Sequence, residues 1–155
     1  MRAPWELFPR RSSKTEPIAV TLAKSLYRTL PPSAKPSIAK PLILCVEDEP
    51  ISLLLRKKVL ERDGYNVIGV TTAQDAISTL REAPVCATIA DHMLQGTTGI
   101  ELARQMKTLK RDVPIILFSG TLPEHLDSVD VFIHKGEPTS EFLRIVRDVV
   151  NRYYM

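Results

Sequence analysis

Residues 85–91, Val-Cys-Ala-Thr-Ile-Ala-Asp, decide the fold, because an apolar run here ends in a carboxylate. A short apolar run of this kind is typical of a buried strand. An acid directly after such a strand lies at the carboxyl edge of a sheet, where α/β proteins hold their chemical groups. Asp91 is therefore the first candidate functional residue.

Three further apolar runs end in functional groups: residues 42–46 before Glu47 and Asp48, residues 114–118 before Ser119, and residues 131–134 before Lys135. Because the carboxyl ends of parallel strands meet at one edge, the runs predict that acids, a hydroxyl and an amine converge there. A metal-assisted phosphoryl site requires such a set.

Helical patterns alternate with the strands. Pro50 opens the first, with Ile51, Leu54, Leu55 and Val59 on one face, and Gly64 ends it. Residues 66–70 are predicted as the second strand. Later helices have apolar stripes: Ala73, Ala76, Ile77 and Leu80; Leu102, Met106 and Leu109; Phe142, Ile145, Val146 and Val149.

This alternation predicts an α/β fold with a five-stranded, doubly wound parallel sheet and helices on both faces. The flavodoxin-like strand order 2-1-3-4-5 fits best, and it makes strands one and three neighbours. Glu47 and Asp48 would then meet Asp91. Lys135 follows Ser119 by only sixteen positions, so we expect a shortened fourth helix, at about residues 123–128.

Three carboxylates in one pocket repel each other by roughly 4 kcal/mol per pair at about 4 Å and an effective dielectric near 20. A small divalent cation with oxygen ligands relieves this repulsion, and Mg²⁺ prefers such ligands. An aspartate oxygen screened by the ion can attack phosphorus and form an acyl phosphate. Ser119 and Lys135 would supply the hydroxyl and cation that the phosphoryl oxygens need.

At these residues the chain resembles the receiver domain of two-component response regulators, of the stand-alone, chemotaxis-regulator-like type. The resemblance covers residues 42–152, with Asp91 at the phosphoacceptor position and Gly99 at the loop glycine before the third helix. It implies that the Ser119 hydroxyl and the Lys135 amine contact the phosphoryl oxygens. It also implies that Phe132 is the switching aromatic.

The resemblance also implies the ligands of a Mg²⁺ ion. Asp48, Asp91 and the backbone carbonyl of Met93 would bind it directly, and Glu47 mainly through water. Two prolines of the family's pattern are replaced, by Gln95 and Gly136. The short span before Lys135 makes the usual output face uncertain.

The resemblance implies a protein that is not an enzyme beyond self-phosphorylation and self-dephosphorylation. It would accept a phosphoryl group from a sensor histidine kinase or phosphotransfer protein and act on a downstream partner, with no nucleic acid contact expected. A phosphorylation-independent adaptor is the alternative. An aspartyl phosphatase ranks last, because Met93 stands where that class needs a second acid.

The first forty residues differ from the rest. Residues 1–41 carry eight Lys/Arg and two Glu, whereas residues 42–155 carry thirteen basic and sixteen acidic residues. We predict a basic, proline-rich, disordered extension over 1–40 and the receiver over 41–155. Residues 17–30 could form a short amphipathic helix, the one segment suited to a membrane or partner contact. Buried Cys45 and Cys86 would fit the reducing cytoplasm.

Overall fold

The computed structural model describes Thr29 and residues 40–154 of the chain. A parallel sheet is built from five strands: β1 (Leu42–Val46), β2 (Asn66–Val70), β3 (Ala87–Ala90), β6 (Ile115–Ser119) and β7 (Val131–His134). Their order is β2-β1-β3-β6-β7, which is the predicted flavodoxin-like order. The two short strands β4 (Met93–Leu94) and β5 (Thr97–Thr98) form an unpredicted antiparallel hairpin directly after Asp91.

Within residues 40–154, four helices cover the sheet: α1 (Pro50–Arg62), α2 (Ala73–Glu82), α3 (Gly99–Leu109) and α4 (Thr139–Tyr154). Alternate strand residues point to opposite faces of the sheet, which therefore divides the buried side chains into two clusters. One cluster contains Leu60 of α1 with Phe142 and Val146 of α4. The other contains Leu80 of α2 and Met106 of α3. The prediction of helices on both faces is confirmed.

Local signals in the sequence explain where the helices begin and end. The Thr72 hydroxyl accepts a hydrogen bond from the amide of Asp75 and so caps α2, as the sequence indicated. Gly64, just after α1, has a φ of +99°, a conformation that glycine adopts at little cost. The apolar stripes of α2 and α4 face the core as predicted, while Leu109 at the end of α3 is 39 % exposed.

The predicted apolar face of α1 is wrong for three of its four residues, since only Val59 packs against the core. Ile51, Leu54 and Leu55 are 68 %, 50 % and 61 % exposed, whereas Arg56 and Leu60 are buried. The helix is rotated so that a charged residue faces the sheet, because Arg56 finds an acidic partner there. Three apolar side chains consequently remain on the surface.

The crossover between β6 and β7 contains no helix within residues 120–130, although a shortened one was predicted at about 123–128. Pro123 has no amide hydrogen to donate, and Ser128 has a φ of +65°, which is outside the helical region. The amide of Val129 instead closes a turn on the carbonyl of Leu126. The family resemblance therefore holds for the sheet but not for this connection.

The predictions for residues 1–39 lie outside the described residues, apart from Thr29, so the extension and the 17–30 helix stay predictions. Within the described part of the chain, each helix is too short or too polar to span a bilayer.

Candidate functional site

The three predicted acids meet at the carboxyl edge of the sheet. Parallel pairing places Val46 beside Ala90, so Glu47 and Asp48 after β1 lie next to Asp91 after β3. Each acid offers a carboxylate oxygen, and these oxygens lie within 4.8 Å of one another. Glu47 and Asp91 are buried and Asp48 is half-buried. Hard carboxylate oxygens at this spacing fit a Mg²⁺ ion.

Lys135 joins this cluster from the end of β7. Its Nζ lies 3.0 Å from Oδ2 of Asp91 and 3.3 Å from Oε2 of Glu47. The Lys135 amide donates to the carbonyl of Ser119 at 2.8 Å, which extends the β6–β7 pairing to the site. A cation thus lies between two carboxylates from separate strands.

Asp91 is held by the backbone on both sides. Its amide donates to the carbonyl of Val46 at 3.0 Å, and its Oδ1 accepts from the amide of His92 at 2.7 Å. The remaining oxygen, Oδ2, points to Lys135. With 7 % of the residue exposed, the carboxylate is fixed in orientation.

Ser119 ends β6, which pairs directly with β3. The side chain is buried, and its Oγ accepts a hydrogen bond from the amide of Thr121 at 3.2 Å. Since a hydroxyl also donates one hydrogen bond, Ser119 retains a donor for a further partner.

Comparison with known proteins gives the family of this site. The description "response regulator receiver domain" matches residues 43–133. The chain belongs to this family. The receiver is 35% identical over 117 residues to the transcriptional regulatory protein YbdJ of Bacillus subtilis, covering 72% of this chain and 52% of YbdJ. It is 28% identical over 116 residues to the heme response regulator HssR of Staphylococcus saprophyticus, covering 71% and 51%.

The receiver thus spans about half the length of these curated relatives. Among solved structures it is similar to the response regulator TrrA of Thermotoga maritima in complex with Mg²⁺-BeF, with 25% identity, a TM-score of 0.66 and coverage of 70% and 98%. A CheY-like receiver of Methanospirillum hungatei has 21% identity and a TM-score of 0.70, covering 74% and 96%, and supports the fold.

Two residues predicted from the family pattern lie near this edge without a described contact to it. Phe132 is a half-buried residue of β7, paired in register with Leu117. Met93 begins the hairpin after the acceptor, and its side chain is 65 % exposed. The switching role of Phe132 and the ligand role of the Met93 carbonyl stay predictions.

Gly99 explains the close packing behind Asp91. A side-chain carbon at this position would overlap the carbonyl oxygen of Asp91 and lie 2.6 Å from Leu117 Cδ1 and 3.0 Å from the Cα of His92. Its amide donates to the carbonyl of His92 at 2.7 Å. The receiver therefore needs glycine here for close backbone approach.

Arg56 is the site residue that sequence reasoning missed. Its Nη2 lies 3.0 Å from Oε2 of Glu47, and its side chain is 6% exposed. Its Cζ lies 4.6 Å from the ring centroid of Phe118, in a cation–π arrangement. The sequence contained one signal for its burial: Arg56 precedes Leu60 by one helical turn, so the two residues lie on the same face of α1.

Glu49 and Cys45 are neighbours of the site with separate roles. The Glu49 carboxylate caps α1 by accepting from the amides of Ser52 and Ile51, and these bonds lower its pKa. Burial raises the pKa of the Cys45 thiol to about 12, although Arg56 opposes this shift. Cys86 is also buried, as predicted.

Proposed function

We propose that this receiver accepts a phosphoryl group on Asp91 from a histidine kinase or phosphotransfer protein, and that phosphorylation controls its binding to a downstream partner. The observation that carries the proposal is the position of Lys135, whose Nζ contacts both Asp91 and Glu47 beside Asp48. One amine after β7, two acids after β1 and one acid after β3 match the needs of phosphoryl transfer.

The transfer itself requires little covalent chemistry from the protein. A carboxylate oxygen of Asp91 forms a bond to phosphorus while the bond from phosphorus to the donor histidine nitrogen breaks, and that nitrogen keeps the electron pair. The His92 amide and Lys135 hold the carboxylate for in-line attack. Lys135 then pairs with the phosphoryl oxygens, which carry more charge than the carboxylate did.

The acidic cluster supports a divalent cation as cofactor. Asp48 and Asp91 would hold Mg²⁺ directly with the Met93 carbonyl, and Glu47 would act through water. When bound, the ion supplies positive charge to the oxygens of the transferring group. Glu47 fits an indirect role, because Oε2 already accepts from Arg56 and Lys135 and Oε1 accepts from the amide of Glu49.

A protein donor needs a contact surface beside Asp91. The exposed apolar side chains of α1, Ile51, Leu54 and Leu55, begin three residues after Asp48. Exposed apolar groups that lie together favour a protein contact. We assign this surface, called here the α1 patch, to the phosphodonor protein, because its position beside the acids brings a docked donor close to Asp91.

Intact-mass measurement after incubation with acetyl phosphate and Mg²⁺ tests the proposal. The wild-type protein should gain one phosphoryl group, and omission of Mg²⁺ should abolish the gain. Asp91→Asn should not be labelled, whereas the control Asp112→Asn, which changes an exposed acid before β6, should be labelled normally. Equal labelling of Asp91→Asn and wild type would remove Asp91 from its role.

A second candidate function is a phosphorylation-independent adaptor, favoured by the helix-free crossover. Pro123 and His125 of that crossover line a cavity of about 320 Å³ together with His92 and Ile100. An adaptor would bind its partner equally well with and without beryllofluoride, whereas the phosphorylation-dependent receiver would not.

A further inference from the structure

The guanidinium of Arg56 is buried beside the acidic cluster, where a charged group requires compensation. Burying an unpaired charge is strongly unfavourable, so such groups are paired in folded proteins. Nη2 pairs with Glu47 at 3.0 Å, and the Phe118 ring lies against Cζ. Among the described residues, Nη1 of Arg56 has no hydrogen-bond partner. The side chain is therefore retained in the core mainly by Glu47.

Arg56 changes the charge of the site. Three carboxylates face two cations, Arg56 and Lys135, so the formal charge of the cluster is −1. Without Arg56 the same cluster would carry −2. A cation-binding site becomes weaker as its own positive charge increases, because a cation already present nearby repels the incoming ion.

Arg56 also fixes the orientation of Glu47. One oxygen, Oε2, accepts from both Arg56 and Lys135, and the other accepts from the Glu49 amide at 3.3 Å. This carboxylate has a stable partner in Arg56 even when Lys135 turns to another anion. Glu47 is therefore held as an indirect member of the site.

We propose that Arg56 is a positioning residue that acts as the internal counter-ion of Glu47 and weakens Mg²⁺ binding at the acidic cluster. This inference rests on the proposed function, since it concerns the cation of that site. Its test uses Mg²⁺ alone, without a phosphodonor. The result for Arg56 can therefore be distinguished from a failure of Asp91 labelling.

Isothermal titration calorimetry with Mg²⁺ measures the effect. Arg56→Gln keeps a hydrogen-bond donor for Glu47 but removes the charge, and we expect it to bind Mg²⁺ about tenfold more tightly than wild type. Arg56→Met should bind similarly to Arg56→Gln. Arg56→Lys, which keeps the charge, should bind Mg²⁺ as weakly as wild type does. Arg62→Met is the matched control, because it removes an exposed charge from the same helix and should leave the affinity unchanged.

Circular dichroism at each step separates folding from binding. A variant that folds only after Mg²⁺ is added supports the proposal, because the ion then replaces the missing positive charge. If Arg56→Met does not fold at all, Arg56→Gln decides. Equal Mg²⁺ affinity of folded Arg56→Gln and wild type, or equal tightening by Arg56→Lys, overturns the proposal.

Discussion

Nζ of Lys135 lies 3.0 Å from Oδ2 of Asp91, although 44 positions separate the two residues in the chain. The contact exists because β7 and β3 end at the same edge of the sheet, with β6 between them. It gives the receiver a cation at the oxygen that faces away from the His92 amide.

Replacing Lys135 by Met should slow phosphorylation by acetyl phosphate about 10- to 100-fold, because the charge that stabilises the transferring oxygens is lost. The labelling rate is measured by intact mass over time. Lys58→Met is the control, since it removes an exposed lysine of α1. Equal rates for Lys135→Met and wild type would show that this amine has no part in the transfer.

Replacing Gly99 by Ala should destabilise the fold by about 2–4 kcal/mol, because the added carbon meets backbone atoms that cannot move aside. Urea denaturation measures the change in the free energy of unfolding. Gly120→Ala is the matched control, since an added carbon there meets nothing within 4 Å. Similar stabilities for the two variants would contradict the close approach at Asp91.

Replacing Leu54 and Leu55 by Ser should lower the rate of phosphorylation by a protein donor but leave the rate of labelling by acetyl phosphate unchanged. The two leucines lie on the α1 patch and contribute little to the core, being 50 % and 61 % exposed. The ratio of the two labelling rates separates docking from chemistry. A loss with the small donor as well would assign the leucines to folding or to the site itself.

The buried thiol of Cys45 predicts a pH dependence of stability. Its pKa is raised to about 12, whereas an unfolded thiol has a pKa near 9. Between these values the unfolded chain loses a proton that the folded protein keeps, so the folded state loses about 1.4 kcal/mol per pH unit. Below about pH 9 the thiol has no effect.

Comparison with Cys45→Ala isolates this contribution from other groups that titrate at high pH. The difference in unfolding free energy between wild type and Cys45→Ala should stay constant up to about pH 9. Above that pH, wild type should lose stability relative to Cys45→Ala. Urea denaturation at several pH values measures it. A constant difference up to about pH 11 would mean that the folded thiol titrates normally.

The sheet and the positions of the acids could be predicted because they depend on local pattern. Each apolar run was long enough for one strand, and the residue after it necessarily lies at the carboxyl edge. Glu47, Asp48 and Asp91 follow from strand order alone. Lys135 followed in the same way, because it comes directly after β7.

The features that were not predicted depend on tertiary contacts. A charged residue on an amphipathic helix is normally assigned to the solvent, so Arg56 was overlooked, and its burial becomes favourable only with Glu47 beside it. Because Arg56 was assigned to the solvent, the opposite face of α1, with Ile51, Leu54 and Leu55, was wrongly assigned to the core. The helix-free crossover and the hairpin after Asp91 are short segments in which turn geometry outweighs periodicity.

The residue that carries the phosphoryl group tests the role of Asp91 most directly. Sodium borohydride reduces an aspartyl phosphate to homoserine, which tandem mass spectrometry locates in the sequence. After treatment with acetyl phosphate and Mg²⁺, homoserine should appear at position 91 and the residue at position 48 should be unchanged. Homoserine at position 48, or none anywhere in a protein that gained phosphoryl mass, would contradict the role of Asp91 as phosphoacceptor.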